Sequence, residues 1–414
     1  MKPDRMTIDE QVTYLMQGTE YGDETLKQAM ALELHERLEE AQQEKRPLRV
    51  YCGFDPRTSD LHLGHTVPMC KLKQFQELGH EVMFLIGNYT SLIGDPSDQD
   101  KLRPQLTPEQ VAQNAHTYAE QAYKVLDREK VHIRYNSEWL SELSFPELIK
   151  LASNFTLQQF LKRENFRIRW ERGDAIYLHE TFYSLMQGVD AFNLRADVQV
   201  GGTDQLFNIV TAARKIMTSL GGRPNIAIIH GILPGTDGVV KMSKSLGNHI
   251  RLLATPEDMY GKVMSIPDQA MGKFFRLVTR WTPGEIAVLE KGLREGYLHP
   301  RDVKMKLAQE IVSIYHSQAE ATAAEENFVR LFQQEEFPEE MPIIHLLPGQ
   351  TVLDILVGSG LVKSRSEGRR ICAQKGVRLD SEALDDPQQV LQSGGVLQVG
   401  KRRFVRVLIG DSGE

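Results

Sequence analysis

Cysteine is the scarcest informative residue here: Cys52, Cys70 and Cys372 are the only three among 414 residues. They show no C-x-x-C spacing and leave an odd count. This argues against a disulfide or zinc framework and predicts reduced thiols in a cytoplasmic protein. No apolar run approaches the ~18 residues of a membrane-crossing helix, so no membrane partner is expected. The N-terminal stretch lacks the apolar core of a signal peptide and the arginine-rich character of a transit peptide. It carries Asp4, Asp9, Glu10, Glu20, Asp23 and Glu24 instead. No G-x-x-x-x-G-K-[ST] occurs in the chain, so any ATP site is not a P-loop.

What is present has the make-up of a globular protein, 41% hydrophobic and 25% charged. The length predicts two or three domains. The net charge of −7 is unevenly spread. Residues 351–410 hold ten Lys/Arg against six Asp/Glu, while the remainder is acidic. A basic terminal module on an acidic body suits a polyanionic partner; the plainer reading is a solvated surface.

The chain is organised around Tyr51–His65, Y-C-G-F-D-P-R-T-S-D-L-H-L-G-H. Leu48, Val50, Cys52 and Phe54 alternate as a strand, and Gly53 and Asp55-Pro56 break it. His62-Leu63-Gly64-His65 then opens a helical pattern over Val67–Leu78, and Val82–Ile86 reads as a second strand. The result is a βαβ unit with two imidazoles at its first crossover, facing the carboxyl ends of the strands where ligands bind. Before it, residues 7–45 read as helical. After it come a loop carrying Gly94-Asp95-Pro96-Ser97, a helix from Thr107 to about Leu126, a strand at Val131–Tyr135, and a helix from Ser144 through Phe160.

Tyr183, Gln187 and Asp190 fall at i, i+4 and i+7 and share one helical face. A solvent-facing stripe is the plainer explanation. Leu185, Met186 and Val189 beside them favour a buried polar stripe aimed at a ligand. A strand at Asp197–Val200 then runs into Gly201-Gly202-Thr203-Asp204-Gln205, where paired glycines let backbone approach a ligand. Asn225–Ile229 is another buried strand. The glycine-rich loop 231–238 presents Lys241-Met242-Ser243-Lys244-Ser245, two lysines spaced to chelate nucleotide phosphates. Helices follow from Thr255 to about Leu331. Residues 333–342 read as an acidic, proline-containing linker. In the last module, Lys363, Arg365 and Arg369 are expected on one face of a short helix, suited to RNA phosphates.

In combination these segments resemble a family. His62-Leu63-Gly64-His65 is similar to the HIGH signature of class I aminoacyl-tRNA synthetases, and Lys241–Ser245 reads KMSKS. Residues 51–56, 94–97 and 201–205 look like those of bacterial tyrosyl-tRNA synthetases. The C-terminal module resembles their S-four-like RNA-binding domain. Neither signature alone carries the family; the ordered set does.

The resemblance implies an α/β fold: a Rossmann-like parallel-sheet catalytic domain, an α-helical domain and a small α+β RNA-binding domain. The boundaries are an N-terminal helical arm at 1–46, the catalytic domain with a helical insertion at 47–250, an anticodon-binding helical domain at 251–332, a linker at 333–350 and the RNA-binding domain at 351–414. It also implies a tyrosine–tRNA ligase acting on tyrosine, ATP and tRNA(Tyr), as a cytoplasmic homodimer. Magnesium would arrive with ATP, without a protein-held metal site.

By the same resemblance His62, His65, Lys241 and Lys244 are catalytic. Cys52, Gly53, Asp55, Gly64, Gly202, Asp204, Met242, Ser243 and Ser245 join them at ATP. Tyr51 and Asp190 take the phenol of tyrosine, Asp95, Tyr183 and Gln187 its ammonium, and Gln205 its carboxyl end. Lys363, Arg365, Arg369, Arg370 and Arg378 contact RNA. The chain departs from the family at Arg57, where many members have Thr, with Thr58 beside it. It departs again in the 98–103 loop, where Lys101 and Arg103 are candidate phosphate contacts.

Two other readings are a tryptophanyl-tRNA synthetase and a non-catalytic RNA-binding paralogue. Asp190 facing Tyr51, together with the terminal module, favours tyrosine. The presence of His62, His65, Lys241 and Lys244 argues against a dead scaffold.

Overall fold

A computed structural model describes residues 6–56, 60–97, 107–333, 341–347, 349–380, 382–391, 393–400 and 403–409. The chain forms two compact units, 1–322 and 323–414.

The first unit is built on five strands, β1 (Arg49–Phe54), β2 (Glu81–Ile86), β3 (Val131–Tyr135), β4 (Val198–Gly202) and β5 (Ile226–His230). The inner ones are largely buried, while β3, VHIRY at the edge, buries only Val131. Every residue of β4 and β5 is buried. The strands lie in the order β3-β2-β1-β4-β5, all parallel. The chain order reverses between β1 and β4, and there the sheet opens. β1 pairs with β4 only at Val50–Val198 and Tyr51–Gln199. Beyond Tyr51, β1 follows β2, and beyond Gln199, β4 follows β5. The two carboxyl ends part to leave a crevice, the ligand position of a doubly wound sheet.

The N-terminal segment forms two helices, α1 (Ile8–Leu15) and α2 (Glu24–Glu44), started by Thr7 and Asp23 as N-caps. Arg37 of α2 and Arg46 each reach Asp197 at 2.9 Å, and the Arg49 N–H donates to the same carboxylate at 3.0 Å. One buried acidic group thereby ties this arm to the amino ends of β1 and β4. The first crossover helix, α3 (Leu63–Glu77), holds Lys71. Its buried ammonium donates to the Leu15 and Gln17 carbonyls and to Gln74 Oε1.

The helix expected from Ser144 through Phe160 is two helices, Phe145–Ala152 and Leu157–Leu161. Asn154 Nδ2 bonds back to the Lys150 and Leu151 carbonyls, and the Thr156 N–H is taken by Gln159, so a fresh cap interrupts the periodicity. The helix starting at Thr107 ends at Ala122, short of Leu126. After Gln205 the backbone is not a plain α-helix: Phe207–Ala213 is π-helical and only Arg214–Ser219 is α. Five helices from Pro256 to Gln333 complete the helical run.

The second unit packs helices Val352–Gly358 and Arg365–Ala373 with a mixed sheet of β6 (Ile343–Leu346), β7 (Val377–Leu379), β8 (Glu382–Ala383), β9 (Gly395–Val399) and β10 (Arg403–Ile409). Their order is β6-β10-β9-β7-β8, and Val352, Leu356, Cys372, Val377, Leu397 and Val405 lie in its core.

Candidate active site

The crevice between β1 and β4 is a cavity of about 560 Å³. Seventeen of the expected residues line it: Tyr51, Cys52, Gly53, Asp55, His62, Gly64, His65, Asp95, Tyr183, Gln187, Asp190, Gly202, Asp204, Gln205, Lys241, Met242 and Ser243. Lys244 and Ser245 do not line it. Arg57, Thr58, Lys101 and Arg103 lie outside the described residues, as do 334–340 and 348 of the expected 333–350 linker, whose residues 343–346 form β6.

At one end the helix Leu178–Asn193 turns Tyr183, Gln187 and Asp190 inward together, as its spacing predicts. Asp190 is 3% exposed. Its Oδ1 accepts from Trp139 Nε1 at 2.7 Å and its Oδ2 from Asn136 Nδ2 at 3.3 Å. Burial outweighs these donors and raises the carboxyl pKa from 3.8 to about 7. Each carboxylate oxygen keeps a lone pair for a further donor. Tyr51, 1% exposed, stands on β1 with its hydroxyl 3.5 Å from the Gln187 carbonyl. Burial first and Asp190 second push its phenol well above the ordinary tyrosine value. Gln187 Oε1 is buried with no hydrogen-bond partner, an acceptor waiting for a donor.

The network continues around the wall. Asn136 Nδ2 also donates to Thr90 Oγ1 at 3.0 Å, Thr90 Oγ1 to Asp55 Oδ1 at 2.8 Å, and the Tyr183 hydroxyl to Asp55 Oδ2 at 3.2 Å. Asp55, expected at the nucleotide, is therefore joined to the residues expected at the amino acid. Asp95 is held by Gln205 Nε2 and by the Ser97 N–H. Asn208, in the π-helical stretch, bonds Gln205 Oε1 and Ser97 Oγ, and buried Arg163 donates to Ser97 Oγ and Ser184 Oγ.

Asn136, Trp139, Thr90, Arg163, Ser184 and Asn208 escaped the sequence reading. A lone polar residue in a helix or loop looks the same whether it faces water or another buried polar group. Polar residues inside apolar runs, such as Ser184 between Tyr183 and Leu185, were the available signal.

At the other end, the two signature motifs meet through backbone. The Leu63 N–H donates to the Ile250 carbonyl and the Leu252 N–H to the Leu61 carbonyl, joining the start of α3 to the segment just after Lys241–Ser245. His62 is the N-cap of α3. Its Nδ1 accepts from the Gly64 N–H at 3.2 Å, and His65 Nδ1 accepts from the His62 N–H at 3.2 Å. A ring nitrogen that accepts carries no proton, so each neutral imidazole presents Nε2–H. Burial, then His65, His249, Lys244 and Lys241, lowers the His62 pKa to about 2, which keeps that ring neutral.

Gly64 gives the ring its place, since a Cβ there would stand 3.0 Å from His62 Cε1. The first-turn N–H groups of Leu63, Gly64 and His65 are already bonded. An anion here would therefore meet the imidazoles rather than free first-turn N–H groups.

The Lys241 ammonium lies 3.2 Å from Asp204 Oδ2. Met242 is buried and its N–H donates to the Leu233 carbonyl. Asn248 organises the loop: its Oδ1 accepts from the Ser243 N–H at 2.8 Å, and its Nδ2 donates to Asp237, Val240 and Lys241. Among the described residues no group of three or more His, Cys, Asp or Glu is arranged to hold a metal ion.

In the second unit, Lys363, Arg365, Arg369, Arg370 and Arg378 are all exposed. Arg365 and Arg369 are on the helix Arg365–Ala373, but Lys363 precedes its N-cap Ser364, so the expected three-residue face is a two-residue one. Arg365 also pairs with Asp354 at 3.0 Å. No helix among the described residues is long and apolar enough to cross a membrane.

The family model described as tRNA synthetases class I (W and Y) matches residues 42–333. Tyrosine–tRNA ligase 2 of Clostridium acetobutylicum is 43% identical over 403 residues, covering 97% of this chain and 99% of that one. The tyrosine–tRNA ligase of Moorella thermoacetica is 46% identical over 365 residues, 87% of this chain and 88% of that one. A C-terminally truncated mitochondrial tyrosyl-tRNA synthetase of Aspergillus nidulans shares the fold, with a TM-score of 0.62 at 24% identity over 79% of this chain and 95% of that one. A family match over most of the length, and relatives above 40% identity across nearly all of it, lead to one conclusion: the chain belongs to the class I tRNA synthetases of the tryptophan and tyrosine group.

Proposed function

We propose that the protein is a tyrosine–tRNA ligase. The observation that carries this reading is Asp190, a carboxylate buried opposite Tyr51 at the closed end of the cavity with acceptor capacity to spare. A tyrosine phenol supplies a further donor to that spare capacity. A phenylalanine ring would forgo that hydrogen bond to a charged group, about 1.5–3 kcal/mol, roughly 10- to 100-fold in affinity. Gln187 Oε1, Tyr183 and Asp95 receive the ammonium, and Gln205 lies toward the carboxylate. The curated relatives' tyrosine–tRNA ligase activity at 43–46% identity supports the same assignment.

The tyrosine carboxylate attacks the α-phosphorus of ATP and pyrophosphate departs; the terminal ribose hydroxyl of tRNA(Tyr) then attacks the acyl carbon of the adenylate, its proton is lost, and AMP leaves. No enzyme nucleophile is required; positioning and charge stabilisation do the work. His62 and His65 offer Nε2–H to phosphate oxygens. Lys241 exchanges Asp204 for the pyrophosphate, and Lys244, with Met242, Ser243 and Ser245 in the same loop, joins it there. Cys52, Gly53, Gly64, Gly202 and Asp204 border the nucleotide. Magnesium enters as the partner of ATP.

The helices from 256 to 333 are proposed to hold the anticodon arm. The S-four-like terminal unit, with exposed Lys363, Arg365, Arg369, Arg370 and Arg378, is proposed to hold tRNA phosphates. Exposed Phe145, Ile149, Leu157, Trp170 and Leu178 support a homodimer contact through the 145–178 insertion. The cytoplasm, where tRNA is charged, is the proposed location.

Amino-acid-dependent ATP–pyrophosphate exchange tests the reading. Exchange with tyrosine and none with tryptophan is expected; the reverse would replace it with a tryptophanyl enzyme, and none with either with a non-catalytic one.

A further inference from the structure

His230 is the last residue of β5 and stands beside Gly202, its partner in the parallel register. Its imidazole lines the cavity and is 7% exposed. Nδ1 lies 2.8 Å from the Gly231 carbonyl oxygen. That oxygen only accepts, so Nδ1 carries the proton and Nε2 keeps a bare lone pair. Nε2 is buried and has no hydrogen-bond partner. Folded proteins rarely leave a buried acceptor without a donor, and such an atom on a residue that lines a ligand cavity points to the ligand. Burial brings the ring's pKa down to about 4, so it stays a neutral acceptor near pH 7.

Gly202 keeps the space before the ring open. A Cβ there would stand 3.4 Å from His230 Cε1 and 2.6 Å from Asp204 Oδ1. A carboxylate and the Cε1 edge of the imidazole, the carbon bonded to Nε2, thus border one slot. β4 separates β5 from β1, so this slot lies away from Tyr51 and Asp55 and from the amino-acid end.

We propose that His230 recognises the nucleoside half of ATP, its Nε2 accepting a hydrogen bond from an N–H or O–H donor there. This rests on the ligase reading above. The triphosphate has no such donor when ionised. The nucleoside has two kinds, the ribose hydroxyls and the exocyclic amine of adenine, and the acceptor chemistry is common to both. A base with a carbonyl in place of that amine would meet the lone pair as a repulsion.

The test compares ATP, 2′-deoxy-ATP, 3′-deoxy-ATP and purine riboside triphosphate, which lacks the amine, in tyrosine-dependent pyrophosphate exchange by the full-length protein, His230→Phe and His230→Gln. His230→Phe should raise the KM for ATP about 3- to 10-fold, the range of one neutral hydrogen bond, with the tyrosine KM unmoved. For one of the three analogues the wild-type penalty should disappear in His230→Phe and return in part in His230→Gln, which keeps an acceptor. Equal penalties in all three proteins for every analogue would overturn the proposal.

A merely structural role would shift the melting temperature without this atom-specific coupling. Should His230→Phe fail to fold, ¹⁵N spectra of the wild-type imidazole serve instead. The unprotonated Nε2 resonance should move when an α,β-methylene ATP analogue is added, and a stationary resonance overturns the assignment. Wild-type exchange with tyrosine but no coupling to His230 removes this inference alone. Absence of wild-type exchange removes the ligase reading with it.

Discussion

The two ends of the cavity are built differently. At the Asp190 end every carboxylate already has donors: Trp139 and Asn136 on Asp190, Thr90 and Tyr183 on Asp55, Gln205 and Ser97 on Asp95. Most of these groups sit on strands, helices or their immediate ends, which hold geometry closely. At the His62 end the rings are fixed by α3, but the cations belong to a loop. There Lys241 is half-exposed and paired with Asp204, and Lys244 stands off the cavity. The contrast suits the chemistry. Selecting an amino acid needs acceptors set in advance, whereas stabilising a departing pyrophosphate needs charge that engages when the triphosphate is present.

The comparison breaks most visibly at Lys244. Lys244→Ala is expected to slow tyrosine-dependent pyrophosphate exchange about 100- to 1,000-fold, as for loss of one transition-state contact, with tyrosine binding nearly unchanged. Single-turnover kinetics showing the loss in tyrosine affinity instead would remove Lys244 from that role. Asp190→Asn should do the opposite, weakening tyrosine about 10- to 100-fold, the worth of a hydrogen bond to a charged group. Calorimetric titration without ATP reads this directly.

Acid sharpens the same end. Tyrosine's phenol donates to ionised Asp190, whose free-protein pKa is about 7, so tyrosine affinity should fall about tenfold per pH unit below that value. The same titration in Asp190→Asn should lack that dependence, and a flat wild-type profile between pH 5 and 7 would contradict it. The sign for stability is also fixed. Between pH 3.8 and about 7 the folded chain holds a proton at Asp190 that the unfolded chain has released. This residue therefore lowers stability as pH rises through that window, and denaturant midpoints of Asp190→Asn should lack the slope.

The smallest effect on exchange is expected from removing residues 346–414, which lie in the second unit. Exchange should stay within about twofold while tRNA charging falls as phosphate contacts are lost. Equal loss of both would mean that the units do not act separately.

Much of this site was legible before folding was considered, because periodicity and motif order carry it. The i, i+4, i+7 spacing of Tyr183, Gln187 and Asp190 needs only a helix to bring them together, and the helix Leu178–Asn193 does so. β2 and β5 follow from their apolar runs, whereas β3, VHIRY, is a mixed edge strand. Long-range partners were not legible. Asn136 lies 54 residues from Asp190, and Asn208 lies 111 from Ser97. Nothing local in an asparagine says which carboxylate or hydroxyl it will meet. Capping is equally hidden: Nδ1 of both His62 and His65 is spent on the backbone at the start of α3, which decides where their protons sit. The break at Asn154 shows the same competition, side chains offering the backbone a local alternative to the helix.

Tyrosine titrated into the free protein, without ATP, tests the division of the cavity most directly when wild type, Lys244→Ala and Asp190→Asn are compared. Lys244→Ala should bind tyrosine as the wild type does while Asp190→Asn binds it about 10- to 100-fold more weakly. Equal weakening in the two variants would contradict an amino-acid end preformed independently of the phosphate loop.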